Sequence, residues 1–160
     1  MAESHQPVVV GFLCNWCAYR AADLAGVTRT HYSPAFRPIR VMCSGRVEPE
    51  LVLRALSLGA DGVLIVGCHL GGCHSVDGNV KAARRMALLR PLLAQLDVAP
   101  ERVDVVWTGA SEGARLAEEV DRFVARIAAL GALRLPSRGG VSAPPADFPL
   151  DDLLSADEGP

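Results

Sequence analysis

Residues 59–74 read GADGVLIVGCHLGGCH, and the first half of that stretch decides the fold. GVLIVG (62–67) is apolar throughout and rich in β-branched side chains. A run of this length without polar alternation predicts a strand buried on both faces, as in a parallel sheet. Three further runs share its character: VVVGFL (8–13), IRVM (39–42) and VDVVW (103–107). Stretches of helical periodicity lie between them. Residues 48–58 (EPELVLRALSL) carry Pro49 near the first turn and stop at Gly59. Residues 79–96 place Ala82, Met86, Leu89 and Leu93 on one face. Residues 112–130 follow Ser111, the expected N-cap, and end at Gly131. Their apolar face is Leu116, Val120, Phe123, Val124 and Ile127. Residues 16–24 predict a short helix, and residues 28–38, with two prolines, a loop. Strands separated by helices imply right-handed βαβ units. The expected fold is α/β: a small three-layer, flavodoxin-like or Rossmann-like domain of about four parallel strands, in the order 2-1-3-4.

The chain has 160 residues, enough for one domain. Half of them are hydrophobic, which excludes disordered and fibrous classes. The formal net charge of −2 gives no case for nucleic-acid binding. Its distribution is uneven. After Leu135 a single base, Arg138, stands against five acids: Asp147, Asp151, Asp152, Asp157 and Glu158. The text there turns to Gly, Pro, Ser and Ala, so the domain is expected over 1–135 and an acidic, disordered tail over 136–160. Phe148, Leu150, Leu153 and Leu154 would suit a docking peptide there. No apolar stretch is long enough to span a bilayer, and MAESHQP does not open like a secretory signal, so a cytoplasmic location is expected.

Five cysteines carry the chemistry: Cys14, Cys17, Cys43, Cys68 and Cys73. An odd number in a reducing compartment argues for metal or redox chemistry over a disulfide framework. Cys14 follows the first apolar run, Cys43 ends the second and Cys68 ends the third; Cys17 and Cys73 follow within loops. Parallel neighbours finish at one edge, so topology alone should gather all five thiols at the carboxyl rim.

Converging thiols suit an iron–sulfur cluster or zinc, which soft ligands select over magnesium or calcium. A structural zinc knuckle serves modules that fold only with metal. This chain has an ample apolar core, which favours a redox cluster. Gly45, Gly67, Gly71 and Gly72 would let backbone N–H groups approach sulfur, and Cys17 should sit at a helix N-terminus. Arg20, Arg40 and Arg46 could add positive charge, and Phe12, Trp16, Tyr19 and Leu70 an apolar collar. His69 and His74 each follow a cysteine and are candidate ligands or hydrogen-bonding neighbours. CNWC (14–17) also has the form of a thioredoxin-like dithiol, which would leave three cysteines unexplained. Nucleotide-binding glycine motifs are absent, and Asp61-Gly62 reads as turn chemistry.

CNWCAYRAADLAG (14–26), RVMCSGRVEPELVLRAL (40–56), GADGVLIVGCHLGGCH (59–74), GNVKAARR (78–85) and TGASEGARLAE (108–118) together closely resemble the delta subunit of methyl-viologen-reducing hydrogenase, the MvhD/FlpD family, over about residues 7–131. The resemblance implies a [2Fe-2S] cluster in a non-catalytic electron-transfer subunit. Its partners would be a nickel–iron hydrogenase, or other redox subunits, and a heterodisulfide reductase A-like flavoprotein. It makes all five cysteines candidate ligands, four of which are needed. Cys14 with Cys17 on one iron and Cys68 with Cys73 on the other would leave Cys43 spare. The family often reads GCHPGDCHY where this chain has GCHLGGCHS (67–75). The alternatives from other classes are a thiol–disulfide oxidoreductase or persulfide carrier using Cys14 and Cys17, and a zinc-stabilised adaptor.

Overall fold

The structure is a computed structural model and describes residues 5–135. The acidic tail expected over 136–160 lies outside the described residues. Four strands and four helices alternate: β1 (Val9–Cys14), α1 (Ala18–Val27), β2 (Phe36–Val41), α2 (Pro49–Ser57), β3 (Gly62–Gly67), α3 (Gly78–Gln95), β4 (Val103–Trp107) and α4 (Gly113–Leu130). Short 3₁₀ turns occupy Ser44–Arg46 and Pro100–Arg102. All strands pair in parallel in the order β2-β1-β3-β4, which is the expected order.

The register sets the site. Leu13 pairs with both Arg40 and Val66, so β1, β2 and β3 finish level with one another. The chain leaves β1 toward β2 on one side, then returns to build β3 and β4 on the other. The point where this order reverses lies between β1 and β3.

Every residue of β3 is buried, because helices cover both faces of the inner strands. Leu64 and Val66 turn to one face and join Leu13, Leu116, Val120 and Phe123 under α1 and α4. Val63 and Ile65 turn to the other and join Val52, Leu56, Met86, Leu89 and Leu93 under α2 and α3. Two apolar cores with a sheet between them make the third layer obligatory. On one face α1 and α4 approach closely at Gly113, where an added Cβ would lie 2.9 Å from the backbone of Ala21 and Ala25. Among the described residues no helix is long and apolar enough to cross a membrane.

Three local expectations are corrected. β2 starts at Phe36, inside the expected loop, and contains Pro38. It is an outer strand, where a missing N–H is tolerated. Glu112, not Ser111, holds the N-cap position of α4. Asp61 is not an exposed turn residue: it is 4% exposed and closes the amino edge of the sheet. Its carboxylate accepts from the backbone N–H groups of Val8 (2.9 Å) and Leu133 (2.8 Å), and His5 Nε2 lies 2.8 Å away. Buried Arg102 donates to the carbonyls of Asp61, Leu130 and Gly131, so its charge meets the carbonyl end of α4.

Burial pushes the Asp61 carboxyl up, but the Val8 and Leu133 amides and His5 together hold it below the ordinary carboxylate value. A depressed folded pKa contributes stability above the unfolded value, about 3.9, and that contribution is lost as pH falls through the folded one. Asp61→Ala should therefore destabilise the chain by about 1–3 kcal/mol at neutral pH, the cost of orphaned buried donors. In denaturant titrations the gap to wild type should shrink below about pH 4. A gap that is constant from neutral pH to pH 3 would show that the carboxylate charge contributes nothing.

Candidate metal centre

Cys14 is the last residue of β1, and Cys17 holds the N-cap position of α1. Cys68 follows β3 directly. Level strand ends bring these three together across the reversal point. Their Sγ atoms all lie within 4.8 Å of one another, and all three residues are buried. Cys14 and Cys68 sulfurs are 3.8 Å apart.

Cys43 and Cys73 reach the same rim by another route. Both flank Gly78, the first residue of α3. A Cβ on Gly78 would overlap Cys43 Sγ and lie 3.5 Å from Cys73 Sγ. Cys43 is buried, and half-buried Cys73 packs against the core that holds the other three cysteines. The rim thus receives all five cysteines, three as a close trio and two as its neighbours on the α3 side. All five thiols are free.

The trio shares its protons unevenly. The Cys17 thiol donates to Cys14 and is the main cause that brings the Cys14 pKa down to about 5; burial opposes this, and the Trp16 and Cys17 amides assist it. Cys17 is driven up by the same bond, with burial and the charges of Cys14 and Cys68 adding to the effect. Burial also raises Cys68. One thiolate is thus favoured even without a cation, and removing the remaining protons requires positive charge among the sulfurs.

Backbone and aromatic groups build the walls. The Gly45 amide donates to Cys43 Sγ at 3.4 Å, the kind of contact expected from glycines beside the cysteines. His74 stacks on Trp16, ring centroids 3.8 Å apart, and ties the Cys73 loop to the CNWC turn. His69 Nε2 lies 2.6 Å from Glu112 Oε2. The two histidines thus brace loops and stand outside the sulfur trio. Arg20 lies over the Trp16 ring at 5.8 Å and Arg40 over Tyr19 at 5.2 Å; Arg46 is exposed. A cavity of about 530 Å³ opens beside Cys17 and Cys68, bounded by Trp16, His69, His74 and Thr108. The expected collar is partly wrong. Phe12 points into the core under α2 and α3, and Leu70 is 63% exposed. Strand alternation explains the first: Phe12 and Leu13 face opposite sides of the sheet.

Sequence reasoning missed three polar residues here. Asn79, 1% exposed, donates from Nδ2 to the carbonyls of Cys68 (3.0 Å) and His69 (2.8 Å). Glu112 accepts from the Gly109 amide, pairs with Arg115, and is held at a pKa of about 2, chiefly by that amide and then by His69. Glu112 reaches back three residues to the Gly109 amide within the turn that precedes α4, and no motif in the sequence marked it. Ser44, beside Cys43, is fully buried, and its Oγ has no partner among the described residues.

The residues fit a thiophilic metal group. The gathered donors are thiols, with no carboxylate in the trio. A glycine stands where a side chain would exclude Cys43, and one buried hydroxyl beside that cysteine is unspent. Fold and site together define an α/β domain with a thiol-lined rim at its topological switch point.

Comparison with known proteins gives this class a family. Residues 9–131 match the family described as methyl-viologen-reducing hydrogenase, delta subunit, and the chain belongs to it. It is 51% identical over 131 residues to an iron-sulfur subunit of F420-non-reducing hydrogenase from Archaeoglobus profundus, covering 82% of this chain and 96% of that one. It is 47% identical over 140 residues to the iron-sulfur subunit of the vhc F420-non-reducing hydrogenase from Methanococcus voltae, covering 88% and 97%. It is also 44% identical over 129 residues to part of a ferredoxin:CoB-CoM heterodisulfide reductase from Methanosarcina mazei, covering 81% of this chain but only 16% of that longer polypeptide.

In the metal-free chain, thiolate ultraviolet absorbance should gain one sulfur's worth as pH rises through about 5, where Cys14 ionises. Cys14→Ser should abolish that step, and Cys17→Ala should move it to higher pH by removing the donor. An unchanged step in both variants would show that the two sulfurs do not share a proton.

Proposed function

We propose that this chain is an electron-transfer subunit whose rim holds one [2Fe-2S] cluster. The observation that carries the reading is the buried trio Cys14, Cys17 and Cys68, with Cys43 and Cys73 both arriving at its side. Four thiolates suffice for such a cluster, so the trio plus Cys73 or Cys43 is the proposed ligand set. When bound, the cluster supplies a site that accepts and releases one electron at a time. The chain's own work is to deliver thiolates, exclude water from the sulfurs, and donate amides such as Gly45 N–H toward them.

The relatives support the partners. Two are named as iron-sulfur subunits of hydrogenases, and in Methanosarcina mazei a similar stretch lies within a heterodisulfide reductase polypeptide. We take the donor to be a nickel–iron hydrogenase or another redox subunit. The acceptor is taken to be a heterodisulfide reductase A-like flavoprotein, and the setting the reducing cytoplasm. A second reading draws on the Cys14 thiolate paired with the Cys17 thiol: a dithiol exchanging with disulfides.

Anaerobic purification separates them. The cluster reading expects a coloured protein with about two irons per chain and matching sulfide. Single Cys→Ser changes at Cys14, Cys17 and Cys68 should each lose the cluster, whereas of Cys43→Ser and Cys73→Ser only one should. A colourless, iron-free protein with disulfide reductase activity would establish the dithiol instead. One zinc without sulfide would establish a structural metal.

A further inference from the structure

Gly78 and Asn79 open α3 and between them touch three of the cysteine positions. Gly78 leaves the space into which Cys43 Sγ and Cys73 Sγ project. Asn79 holds two consecutive carbonyls, those of Cys68 and His69, with one amide group, while its Oδ1 accepts from the Val80 N–H at 2.8 Å. All polar atoms of this buried side chain are therefore used. The two peptide groups that follow Cys68, 68–69 and 69–70, are thus both held from the first turn of a long helix.

We propose that Asn79 is a positioning residue of the thiol centre: it fixes the Cys68 backbone so that this sulfur stays in register with Cys14 and Cys17. The inference rests on the cluster reading above and deepens it. The loop after Cys68 needs such a clamp. It contains Gly71 at φ +81° and Val76 at φ +64°, and Leu70 and Val76 are 63% and 88% exposed, so little apolar packing holds it. Cys14 and Cys17 are anchored by β1 and by the cap of α1, but Cys68 lies one residue beyond its strand. Without Asn79 the Cys68 carbonyl would lose its donor in a buried setting, while the His69 carbonyl would keep only the Gly72 N–H at 3.0 Å, and the cheapest relief is for the loop to turn the Cys68 carbonyl toward water. That rotation would carry Cys68 Sγ away from its neighbours. Aspartate at this position would offer only acceptors to two carbonyls and so is the sharper probe.

The test uses the full chain, freed of cluster under anaerobic conditions, with Co²⁺ as the probe. Thiolate-to-cobalt charge-transfer absorbance reports whether several sulfurs reach one ion. Wild type should show the band. Asn79→Asp and Asn79→Ala should weaken Co²⁺ binding by roughly 10–100-fold, the range for loss of an outer partner of metal ligands. After cluster reconstitution both variants should also show a shifted reduction potential. Leu89→Ala is the control: it lies in the same helix, is 1% exposed, and packs in the core under α2 and α3. It should lower the melting temperature yet leave the cobalt band and affinity as in wild type. If Asn79→Asp does not fold, Asn79→Ala and Asn79→Ser carry the comparison. Wild-type affinity in the Asn79 variants, or an equal loss in Leu89→Ala, would overturn the positioning role. Absence of the band in wild type would instead remove the thiol centre itself, and the inference with it.

Discussion

Parallel pairing of β1 with both β2 and β3 is the constraint on which the rest depends. It makes three strands end at one level, and in a parallel sheet that level is where every connection to a following helix begins. A cysteine at or just beyond each end therefore meets the others without any contact between them having to be strong. The sulfurs themselves add little to folding. Two apolar cores, one on each side of β3, supply the driving force, and the thiol rim is carried by a scaffold that is stable for other reasons.

The two ends of the sheet are finished differently. The amino end is closed by Asp61 and Arg102, whose buried polar atoms tie the strands to the first described residues and to the segment after α4. The carboxyl end is built of loops braced in pairs: His74 on Trp16, His69 on Glu112, Asn79 on the Cys68 peptide. Each brace spans two different connections or a connection and the helix that follows it, so the rim behaves as one unit although it is assembled from separate stretches of chain. Charge follows the same division, because the Cys14 thiolate lies at the end of the sheet where helices α1 and α3 begin.

Much of this is legible in the sequence. The apolar runs at 62–67 and 103–107 match β3 and β4 residue for residue: β3 is buried on both faces, and β4, although an outer strand, stays at least half-buried along its length. β2 reads too short, since an outer strand with four exposed residues, Arg37 to Arg40, carries no apolar signature. The convergence of the cysteines follows from topology. Their division into a trio and a flanking pair does not, because it depends on how α3 enters, and that is set by Gly78 and Asn79. Asp61 misleads for a related reason: Asp-Gly commonly marks a turn, and only tertiary partners from residues 8 and 133 turn this carboxylate into a buried anchor. Phe12 looks like a neighbour of the thiols by its nearness to Cys14 in sequence, although a strand reverses its facing at every step.

The proline in β2 has a consequence for assembly. A sheet margin normally invites strand addition, since its free amides and carbonyls can template another chain. Here the outer row lacks a donor at Pro38 and is bordered by the guanidinium groups of Arg37 and Arg40, all three exposed. Zippering of two such domains along this margin is thereby opposed by both missing hydrogen bonds and like charge. At the β2 margin the domain is therefore guarded against edge-to-edge pairing of its sheet.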